Sequence, residues 1–258
     1  MALLLVDIGN TRIKWAAFVG GRLGKSRAKA HRGWKAADYR GKLFGARSFT
    51  HVWATSVAGA RVDRALAQAA RRAGAGATFV RVSRRGGGIT VGYAEPWRLG
   101  VDRFVAMVGA HQLFSRIPVL VVGVGTAMTV DLVAADGRHR GGVIIPGPSL
   151  MVATLLRKTH GIRRRAQGGS RAGQALFGRS TKAAIVQGSR YAAAALIDRA
   201  AEEASSLVGR APLVLLTGGD AASVRPLLRS PCVGVPDLVL RGLAVLAQRG
   251  PSSRRSLL

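Results

Sequence analysis

The first pattern in the chain is a run of four apolar residues, Leu3–Val6, that ends at Asp7. An uninterrupted apolar run of this length is typical of a strand buried on both faces. A second apolar run, Trp15–Val19, follows after a polar segment in which Gly9 and Asn10 both favour a turn. The pattern therefore predicts a strand, a tight polar turn and a returning strand.

The same order of elements occurs again in the second half of the chain. Pro118–Val122 is an apolar run, a turn with glycine and threonine follows, and Met128–Val133 is a returning strand. Asp136–Gly137 is a hairpin signal that precedes a third apolar run at Gly142–Ile145. Two copies of this arrangement, about half a chain apart, predict an internal duplication.

The first turn carries groups that suit the binding of phosphate. Backbone N–H groups in such a turn can form an anion-binding concavity, and Lys14 can add a positive charge. Asp7 at the strand end is well placed to hold Mg²⁺ through water. A hairpin with an ordinary polar tip would have the same pattern, so the turn alone leaves both interpretations open.

Two further segments combine a structural role with possible chemistry. Asp102 precedes an apolar helical pattern, Arg103–Phe114, and can either cap that helix or accept a proton from a bound hydroxyl. Gly218–Gly219 follows a buried strand, where glycines either connect strand to helix or let the backbone approach a flat ligand.

A run of three glycines, Gly86–Gly88, predicts a flexible break in the chain.

Composition narrows the class of protein. The chain has 258 residues, enough for one large or two ordinary domains, and 48% of them are hydrophobic. The only cysteine, Cys232, excludes an internal disulfide and a cysteine-based metal site. No apolar run is long enough for a membrane span, and Met1–Val6 is too short for a signal peptide. We therefore expect a cytoplasmic protein without membrane association.

The net charge of +28 raises the possibility of nucleic-acid binding. Most of the 40 basic residues are arginines scattered along the chain, which is typical of a compositional bias. Short basic runs do occur, but no aromatic residues interleave with them as a stacking platform for single strands would need. A basic, solvated surface that attracts anionic substrates such as ATP is the favoured interpretation, and nucleic acid is not an expected partner. The runs are Arg71–Arg72, Arg84–Arg85, Arg163–Arg165 and Arg254–Arg255.

Five segments in this order resemble the type III pantothenate kinases, a family of the actin-like, sugar-kinase-like ATPase superfamily that includes Bvg accessory factor proteins. The resemblance covers almost the full chain. Each motif is weak by itself, but five in order are a strong signal. The segments are Asp7–Thr11, Gly100–Arg103, Gly125–Thr129, Gly141–Gly147 and Leu216–Asp220.

The resemblance implies an α/β fold of two tandem ribonuclease H-like domains, each a mixed sheet flanked by helices, with the active site in the cleft between them. We expect the first domain at residues 1–117, the second at 118–250, and a basic disordered tail at 251–258. The implied activity is ATP-dependent phosphorylation of pantothenate to 4'-phosphopantothenate. The family implies ATP and Mg²⁺, a monovalent cation (K⁺ or NH₄⁺), and a homodimer.

The family also implies roles for individual residues. Asp102 corresponds to the general base, and Asp7 would face Mg²⁺ through water. Contacts to ATP fall on Asp7, Ile8, Gly9, Asn10, Thr11, Arg12, Ile13, Lys14, Gly125, Thr126, Gly218 and Gly219. Contacts to pantothenate fall on Tyr93, Gly100, Val101, Asp102, Arg103 and Thr181, the last of them near the dimer interface.

One position departs from the family pattern. The second turn usually begins with an aspartate that is associated with the monovalent cation, and this chain has Gly123 there. Glycine has no side chain to bind a cation. A basic group could replace the cation's charge, a carbonyl and water could hold it weakly, or activity could be lost.

Three classes of function therefore remain. The ordered motifs favour a pantothenate kinase, and another small-molecule kinase of the same superfamily would share both turns without needing Gly100–Arg103 or Tyr93. Gly123 and the charge are the grounds for a nucleotide-binding regulatory protein on the same fold. Charge alone is the ground for a nucleic-acid-binding protein, which is the least favoured of the three.

Overall fold

The computed structural model describes residues 2–167, 173 and 175–250, so the predicted tail at 251–258 lies outside the described residues. The described chain divides into two units. Residues 2–115 and 237–250 form the first unit, and residues 116–236 form the second. Within the described residues, no helix has both the length and the apolar character that crossing a bilayer would need.

The first unit is built on a six-stranded sheet. Its strand order is β3-β2-β1-β5-β6, and β4 also pairs with β2. Strands β1 and β2 are antiparallel, whereas β5 and β6 run parallel to β1. A separate hairpin of β7 and β8 follows. The strands are β1 (Ala2–Ile8), β2 (Arg12–Val19), β3 (Arg22–Leu23), β4 (Arg27–Ala30), β5 (His51–Ser56), β6 (Gly76–Phe79), β7 (Arg85–Gly86) and β8 (Ile89–Thr90).

Helices pack against this sheet and close its core. Leu4, Val6 and Ile8 of β1 belong to one buried cluster, which Leu66 of α2 also joins. The main helices of the first unit are α1 (Ala36–Tyr39), which continues as a π-helical turn (Arg40–Phe44), α2 (Ala60–Arg72) and α3 (Val101–Leu113). A 3₁₀ turn (Pro96–Arg98) precedes α3.

The second unit repeats the plan with a five-stranded sheet of order β11-β10-β9-β12-β13. Its strands are β9 (Val119–Val124), β10 (Ala127–Val133), β11 (His139–Pro146), β12 (Leu213–Thr217) and β13 (Cys232–Gly234). Its helices are α4 (Pro148–Lys158), α5 (His160–Arg165), α6 (Thr181–Val208) and α7 (Ala221–Val224), followed by a 3₁₀ turn (Arg225–Leu227).

Strand direction confirms the predicted duplication. In both sheets, an antiparallel hairpin is extended by two strands that run parallel to its first strand. Asp7 pairs across the sheet with Lys14 and Thr55. Gly123 is the equivalent of Asp7 in the second sheet. Like Asp7, it lies two residues before the glycine of the turn, and it pairs with Thr129 on one side and Thr217 on the other. The fold is therefore the expected pair of mixed α/β units.

The last helix differs from the predicted domain division. The sequence pattern grouped residues 118–250 together, but α8 (Leu238–Arg249) packs in the first unit, mainly on α3. The reason is a backbone contact made by two glycines. A Cβ at Gly242 would lie 1.9 Å from Val105 O, and one at Gly109 would lie 2.4 Å from Leu238 O. Only glycine at both positions allows this close crossing of the helices.

Candidate active site

The first predicted phosphate turn closes between β1 and β2. Gly9 N donates to Arg12 O at 3.0 Å, which leaves Asn10 and Thr11 at the exposed tip. Ile8 and Ile13 are fully buried in the core of this unit. These two predicted ATP contacts can therefore offer a ligand only their backbone groups.

A buried histidine hydrogen-bonds the backbone of this turn. His31 Nε2 lies 2.7 Å from Gly9 O, and His31 Nδ1 lies 3.1 Å from the Tyr39 hydroxyl. Because a carbonyl can only accept, Nε2 must carry the proton that it donates to Gly9. In the neutral ring Nδ1 then accepts from Tyr39. Sequence reasoning missed this brace, because His31 is 22 residues from the turn.

Asp7 lies at the carboxyl end of β1 beside the neighbouring parallel strand. Thr55 Oγ1 donates to Asp7 Oδ1 at 3.0 Å. Burial raises the pKa of Asp7 to about 6, the Thr55 hydrogen bond opposes that rise, Asp102 adds to it and Lys14 lowers it. The carboxylates of Asp7 and Asp102, both predicted site residues, are therefore close enough to repel each other. A cation at this point would relieve their repulsion.

Asp102 occupies the first turn of α3. The residue that caps the helix is Gly100, and Asp102 Oδ1 accepts a hydrogen bond from Arg103 N at 2.9 Å. Among the described residues, Oδ2 has no hydrogen-bond partner, so it is available to a bound hydroxyl. A Cβ at Gly100 would lie 2.7 Å from Asp102 Oδ1. Glycine at position 100 thus makes room for the carboxylate.

Two predicted pantothenate contacts meet beside Asp102. Arg103 is buried, and its Nη1 lies 3.1 Å from the Tyr93 hydroxyl. The guanidinium also lies 5.8 Å from the centre of the Tyr93 ring, within range of a cation–π interaction. Val101 starts the same helix. The segment Gly100–Arg103 and Tyr93 therefore form one continuous surface in the first unit.

Lys14 has a partner that the sequence did not suggest. Its Nζ lies 3.8 Å from Asp237 Oδ1, and Asp237 directly precedes α8. Lys14 also pairs with Asp7 across the strands. A lysine between two carboxylates is held in position near the turn, where an entering phosphate can compete for its charge.

The second predicted phosphate turn lies between β9 and β10, and glycines from two other segments contact it. Gly125 N donates to Ala127 O at 3.1 Å, which closes the turn around Thr126. Gly147 N donates to Thr126 O at 2.9 Å, and a Cβ on Gly147 would lie 1.9 Å from Gly125 O. Gly218 has φ +102°, and a Cβ there would lie 2.2 Å from Val124 O. The rigid Pro-Gly-Pro segment thus braces this turn.

The position of the missing aspartate is also defined. A Cβ at Gly123 would lie 3.0 Å from Thr129 Oγ1, which is tight but requires a shift of only one hydroxyl. Thr217 pairs with Gly123 from the other side. The residues next to Gly123 on the two neighbouring strands are therefore threonines, and Gly123 itself supplies no carboxylate.

The remaining predicted residues lie in the second unit. Gly219 follows β12, and apart from its chain neighbours no atom of the described residues lies within 4 Å of the place that a Cβ would take. Thr181 is the first residue of α6, which Ser180 caps by accepting a hydrogen bond from Ala183 N at 3.2 Å. No cluster of three or more histidine, cysteine or acidic side chains with the arrangement of a metal site occurs in the described part of the chain.

The raised pKa of Asp7 predicts how stability depends on pH. Its folded pKa of about 6 exceeds the ordinary value of 3.8, so the folded state prefers the protonated form. Stability from this group is complete at low pH and is lost as the pH rises through about 6, a cost of at most about 3 kcal/mol. Without metal or nucleotide, Asp7→Asn should raise the free energy of unfolding near neutral pH, and the gain should shrink toward about pH 4.5.

Denaturant unfolding across this pH range measures the effect. Asp38→Asn is a control of opposite sign, since the hydrogen bond from Lys42 lowers the pKa of exposed Asp38. A difference between Asp7→Asn and the unchanged chain that stays constant with pH would contradict the assignment of the raised pKa.

Comparisons with known proteins agree on one family. A family model described as type III pantothenate kinase matches residues 3–203. A type III pantothenate kinase of Stenotrophomonas maltophilia (strain K279a) is 38% identical over 249 residues, which cover 96% of this chain and 98% of the relative. One from Nitrosococcus oceani is 35% identical over 268 residues, with 98% and 96% covered.

Solved structures agree on the fold. A conserved Baf-family protein of Campylobacter jejuni superposes with a TM-score of 0.61 at 18% identity, covering 96% of this chain and 98% of that one. A ROK-family glucokinase of Streptomyces griseus, in complex with glucose and AMPPNP, has a TM-score of 0.55 at 14% identity, covering 97% and 100%. At these identities the likeness supports the fold alone.

Proposed function

This chain belongs to the type III pantothenate kinase family, and we propose that it transfers the γ-phosphoryl group of ATP to the primary hydroxyl of pantothenate with Asp102 as the base. The reaction is the first step of coenzyme A biosynthesis. The observation that supports the role of Asp102 is its place in the first turn of α3, where the Arg103 N–H orients Oδ1 and leaves Oδ2 open to a bound hydroxyl. Its charge also contributes to the raised pKa of Asp7, which directly precedes the first turn.

Asp102 has the features of a general base. Its Oδ1 is oriented by the Arg103 N–H, so the other carboxylate oxygen can accept the hydroxyl proton as the substrate oxygen attacks phosphorus. The proton moves to Oδ2, the new O–P bond forms, and ADP leaves with the electrons of the broken bond. Positioning of the hydroxyl is the main task, because little other chemistry is required of the protein.

The first turn is suited to the phosphates of ATP. We assign contacts with the phosphates to the backbone of Gly9–Thr11 and to Lys14, which lies near the turn in its pairing with Asp237. His31 holds the Gly9 carbonyl away from the incoming phosphates by hydrogen bonding it from the protein side. Arg12 adds a further positive charge at the start of β2.

The first turn also fits a divalent metal. Mg²⁺ prefers oxygen ligands and usually keeps several waters, so one carboxylate together with substrate phosphates is a sufficient donor set. Asp7 supplies that carboxylate, and the repulsion it experiences from Asp102 makes a cation favourable there. When bound, Mg²⁺ would neutralise charge on the transferring phosphoryl group.

In the second unit, we assign ATP contacts to Gly125 and Thr126 and contacts with the adenosine part to Gly218 and Gly219. The first pair forms a turn braced by Gly147, so its shape does not depend on the ligand. At Gly219 the place that a Cβ would take is open among the described residues, and without a side chain the backbone there suits close approach of a flat group.

Pantothenate recognition is assigned to the surface formed by Tyr93 and Gly100–Arg103, with Thr181 as a further contact from the second unit. Arg103 carries a positive charge that suits an acidic substrate. Its buried guanidinium is oriented by Tyr93, and a preoriented fork gives directional binding to a carboxylate or phosphate.

The monovalent cation expected from the family does not fit position 123, which has no side-chain ligand. We predict that the phosphorylation rate of the natural chain responds weakly to K⁺. Gly123→Asp should lower the K⁺ concentration for half-maximal rate by at least about fivefold, because a carboxylate within about 4 Å attracts a cation by at least about 1 kcal/mol. Thr129 needs only a small shift to admit the new side chain.

Potassium titrations of both proteins at constant ionic strength, with Na⁺ as the balancing ion, make this comparison. Identical K⁺ response in the two proteins would contradict the proposal about Gly123.

We also propose a homodimer. Strand β11 forms one edge of the second sheet, and its Val143 and Ile144 are 44% and 58% exposed. An edge strand with exposed apolar side chains favours pairing with another chain, and a second copy is the occupant that the family resemblance suggests. Light scattering should give twice the 27.0 kDa mass of the chain, and the monomer mass would contradict the proposal.

The substrate assignment is tested by ADP release that depends on the acceptor. Purified protein with ATP and Mg²⁺ should release ADP when pantothenate is added and remain at background with glucose. Equal stimulation by glucose would favour a sugar kinase of the same superfamily. Nucleotide binding without any acceptor-dependent release would favour a regulatory protein.

A further inference from the structure

Arg84 contacts the segment that carries Tyr93. Its guanidinium donates to three backbone carbonyls, from Nη1 to Tyr93 O at 2.6 Å and to Val91 O at 3.3 Å, and from Nη2 to Ala94 O at 2.7 Å. Val91 N in turn donates to Arg84 O at 2.9 Å. A single side chain therefore fixes the backbone on both sides of Tyr93.

The hairpin that follows Arg84 is itself attached to α3. The sequence predicted a flexible break at Gly86–Gly88, but these glycines pack closely against the helix. A Cβ at Gly87 would lie 2.4 Å from Val108, and one at Gly88 would lie 3.0 Å from His111. Gly87 and Gly88 also have positive φ, +61° and +90°, so a side chain at either position would be both crowded and strained. The hairpin is therefore packed against α3 and is not a loose connection.

This attachment gives Arg84 a fixed base from which to hold the next segment. The segment starts at buried Val91 and reaches Tyr93, whose hydroxyl bonds Arg103 on α3. Arg103 directly follows Asp102 in the same helix. Contacts thus run from α3 through the hairpin to Arg84, then to Tyr93, and back to α3.

We propose that Arg84 is a positioning residue for the pantothenate surface, which holds Tyr93 so that its hydroxyl meets Arg103. The inference rests on the proposed pantothenate kinase activity. Arg84 does not touch the reacting atoms. Its effect on the reaction passes through the backbone of Tyr93 and its neighbours, and it concerns recognition of the acid substrate and not of ATP.

The three carbonyls that Arg84 contacts need the planar guanidinium of arginine. A guanidinium presents five N–H donors in one plane, whereas a lysine ammonium presents three donors at one point. Arg84→Lys therefore keeps the charge but cannot reach carbonyls on both sides of Tyr93. Two of the three hydrogen bonds are exposed, so water can replace the lost donors and the fold should persist.

The neighbouring arginine is a matched control. Arg85 is also exposed, lies in β7 and uses its backbone carbonyl to accept from Ser83 Oγ at 2.8 Å. Arg85→Lys makes the same chemical change one residue away. Any general effect of replacing a surface arginine by lysine in this hairpin should appear in both variants.

Steady-state kinetics provide the first test. Arg84→Lys should raise the KM for pantothenate by about tenfold, the order expected when hydrogen bonds that order a binding segment are lost. Its KM for ATP should stay within about twofold of the unchanged enzyme, as should both constants of Arg85→Lys. Equal constants in Arg84→Lys and Arg85→Lys, or equal rises in both KM values, would overturn the proposal.

Amide hydrogen exchange provides a second test that needs no turnover. Exchange in residues 91–95 should be faster in Arg84→Lys than in Arg85→Lys, while melting temperatures of the two agree within about 3 °C. Unchanged exchange would overturn the role of Arg84. If the unchanged chain showed no turnover of pantothenate but Arg84→Lys still loosened residues 91–95, the proposed function would fail while the contact between Arg84 and this segment would stand.

Discussion

Replacing Asp102 by asparagine should lower kcat for pantothenate phosphorylation by about 10²- to 10⁴-fold, the usual contribution of a general base. Asparagine has the same shape, and its Oδ1 can still accept the hydrogen bond from Arg103 N. What it lacks is the ability to take the proton of the attacking hydroxyl. The binding of ATP should therefore change little, and the loss should appear in the chemical step.

The control for this variant makes the same change at a distant carboxylate. Asp136 lies in the turn between β10 and β11, where it accepts from Arg138 N at 3.0 Å. Asp136→Asn should keep the kcat of the unchanged enzyme. Single-turnover measurements with saturating ATP separate chemistry from binding, and an Asp102→Asn enzyme with nearly normal single-turnover rate would remove Asp102 from the role of base.

Among the proposed variants, Gly242→Ala should lower the free energy of unfolding the most. The new Cβ would lie 1.9 Å from Val105 O, and the backbone of α3 cannot yield as a flexible side chain can. Overpacking typically costs about 1–3 kcal/mol in the free energy of unfolding, and a clash with backbone belongs at the upper end of that range, about 3 kcal/mol. Because α3 carries Asp102 and α8 begins beside Asp237, activity should fall as the two helices separate.

Gly188 offers the matched substitution. It lies inside α6, and outside its own helix no atom of the described residues lies within 4 Å of the place that a Cβ would take, so alanine fits there without a clash among them. Gly188→Ala should stabilise the protein by about 0.5–1 kcal/mol through helix propensity. Urea unfolding of both variants gives the comparison, and a Gly242→Ala protein as stable as Gly188→Ala would contradict the close helix crossing.

Local patterns were enough to predict the two strand–turn–strand segments and the duplicated strand order. The binding of phosphate by their turns stays a prediction. Each turn needs only a buried strand, a glycine and a return, all within about fifteen residues, and such short-range signals are readable in one sequence. Thr55 could also have been expected near Asp7, because both residues lie toward the carboxyl ends of neighbouring parallel strands. The five ordered motifs then identified the family.

Other features depend on contacts between distant segments that no local pattern records. The packing of α8 on α3 rests on Gly109 and Gly242, which in the sequence are ordinary glycines in helical segments. In the sequence His31 is a single histidine that could equally be a surface or a packing residue, and only the fold shows that it hydrogen-bonds Gly9 O. Arg84 belongs to one of the short basic runs, and only the fold shows that its side chain donates to three carbonyls.

The regulatory function has less support than the kinase. Its grounds in the sequence were the net charge and Gly123. The charge suits an anionic substrate equally well, and Gly123 belongs to the second unit, whereas Asp7 and Asp102 belong to the first. Loss of a cation ligand at position 123 leaves the proposed base, Asp102, and the first turn unchanged. Similarity to type III pantothenate kinases extends over 96% of the chain, which covers both units.

The most direct test of the central claim is identification of the product. Purified protein is incubated with ATP, Mg²⁺ and pantothenate, and the mixture is analysed by ³¹P NMR and mass spectrometry. A phosphate monoester on the primary hydroxyl of pantothenate, formed in equal amount with ADP, is the predicted result. ADP accompanied by inorganic phosphate alone, or ATP recovered unchanged while still binding, would contradict the assignment of this chain as a pantothenate kinase.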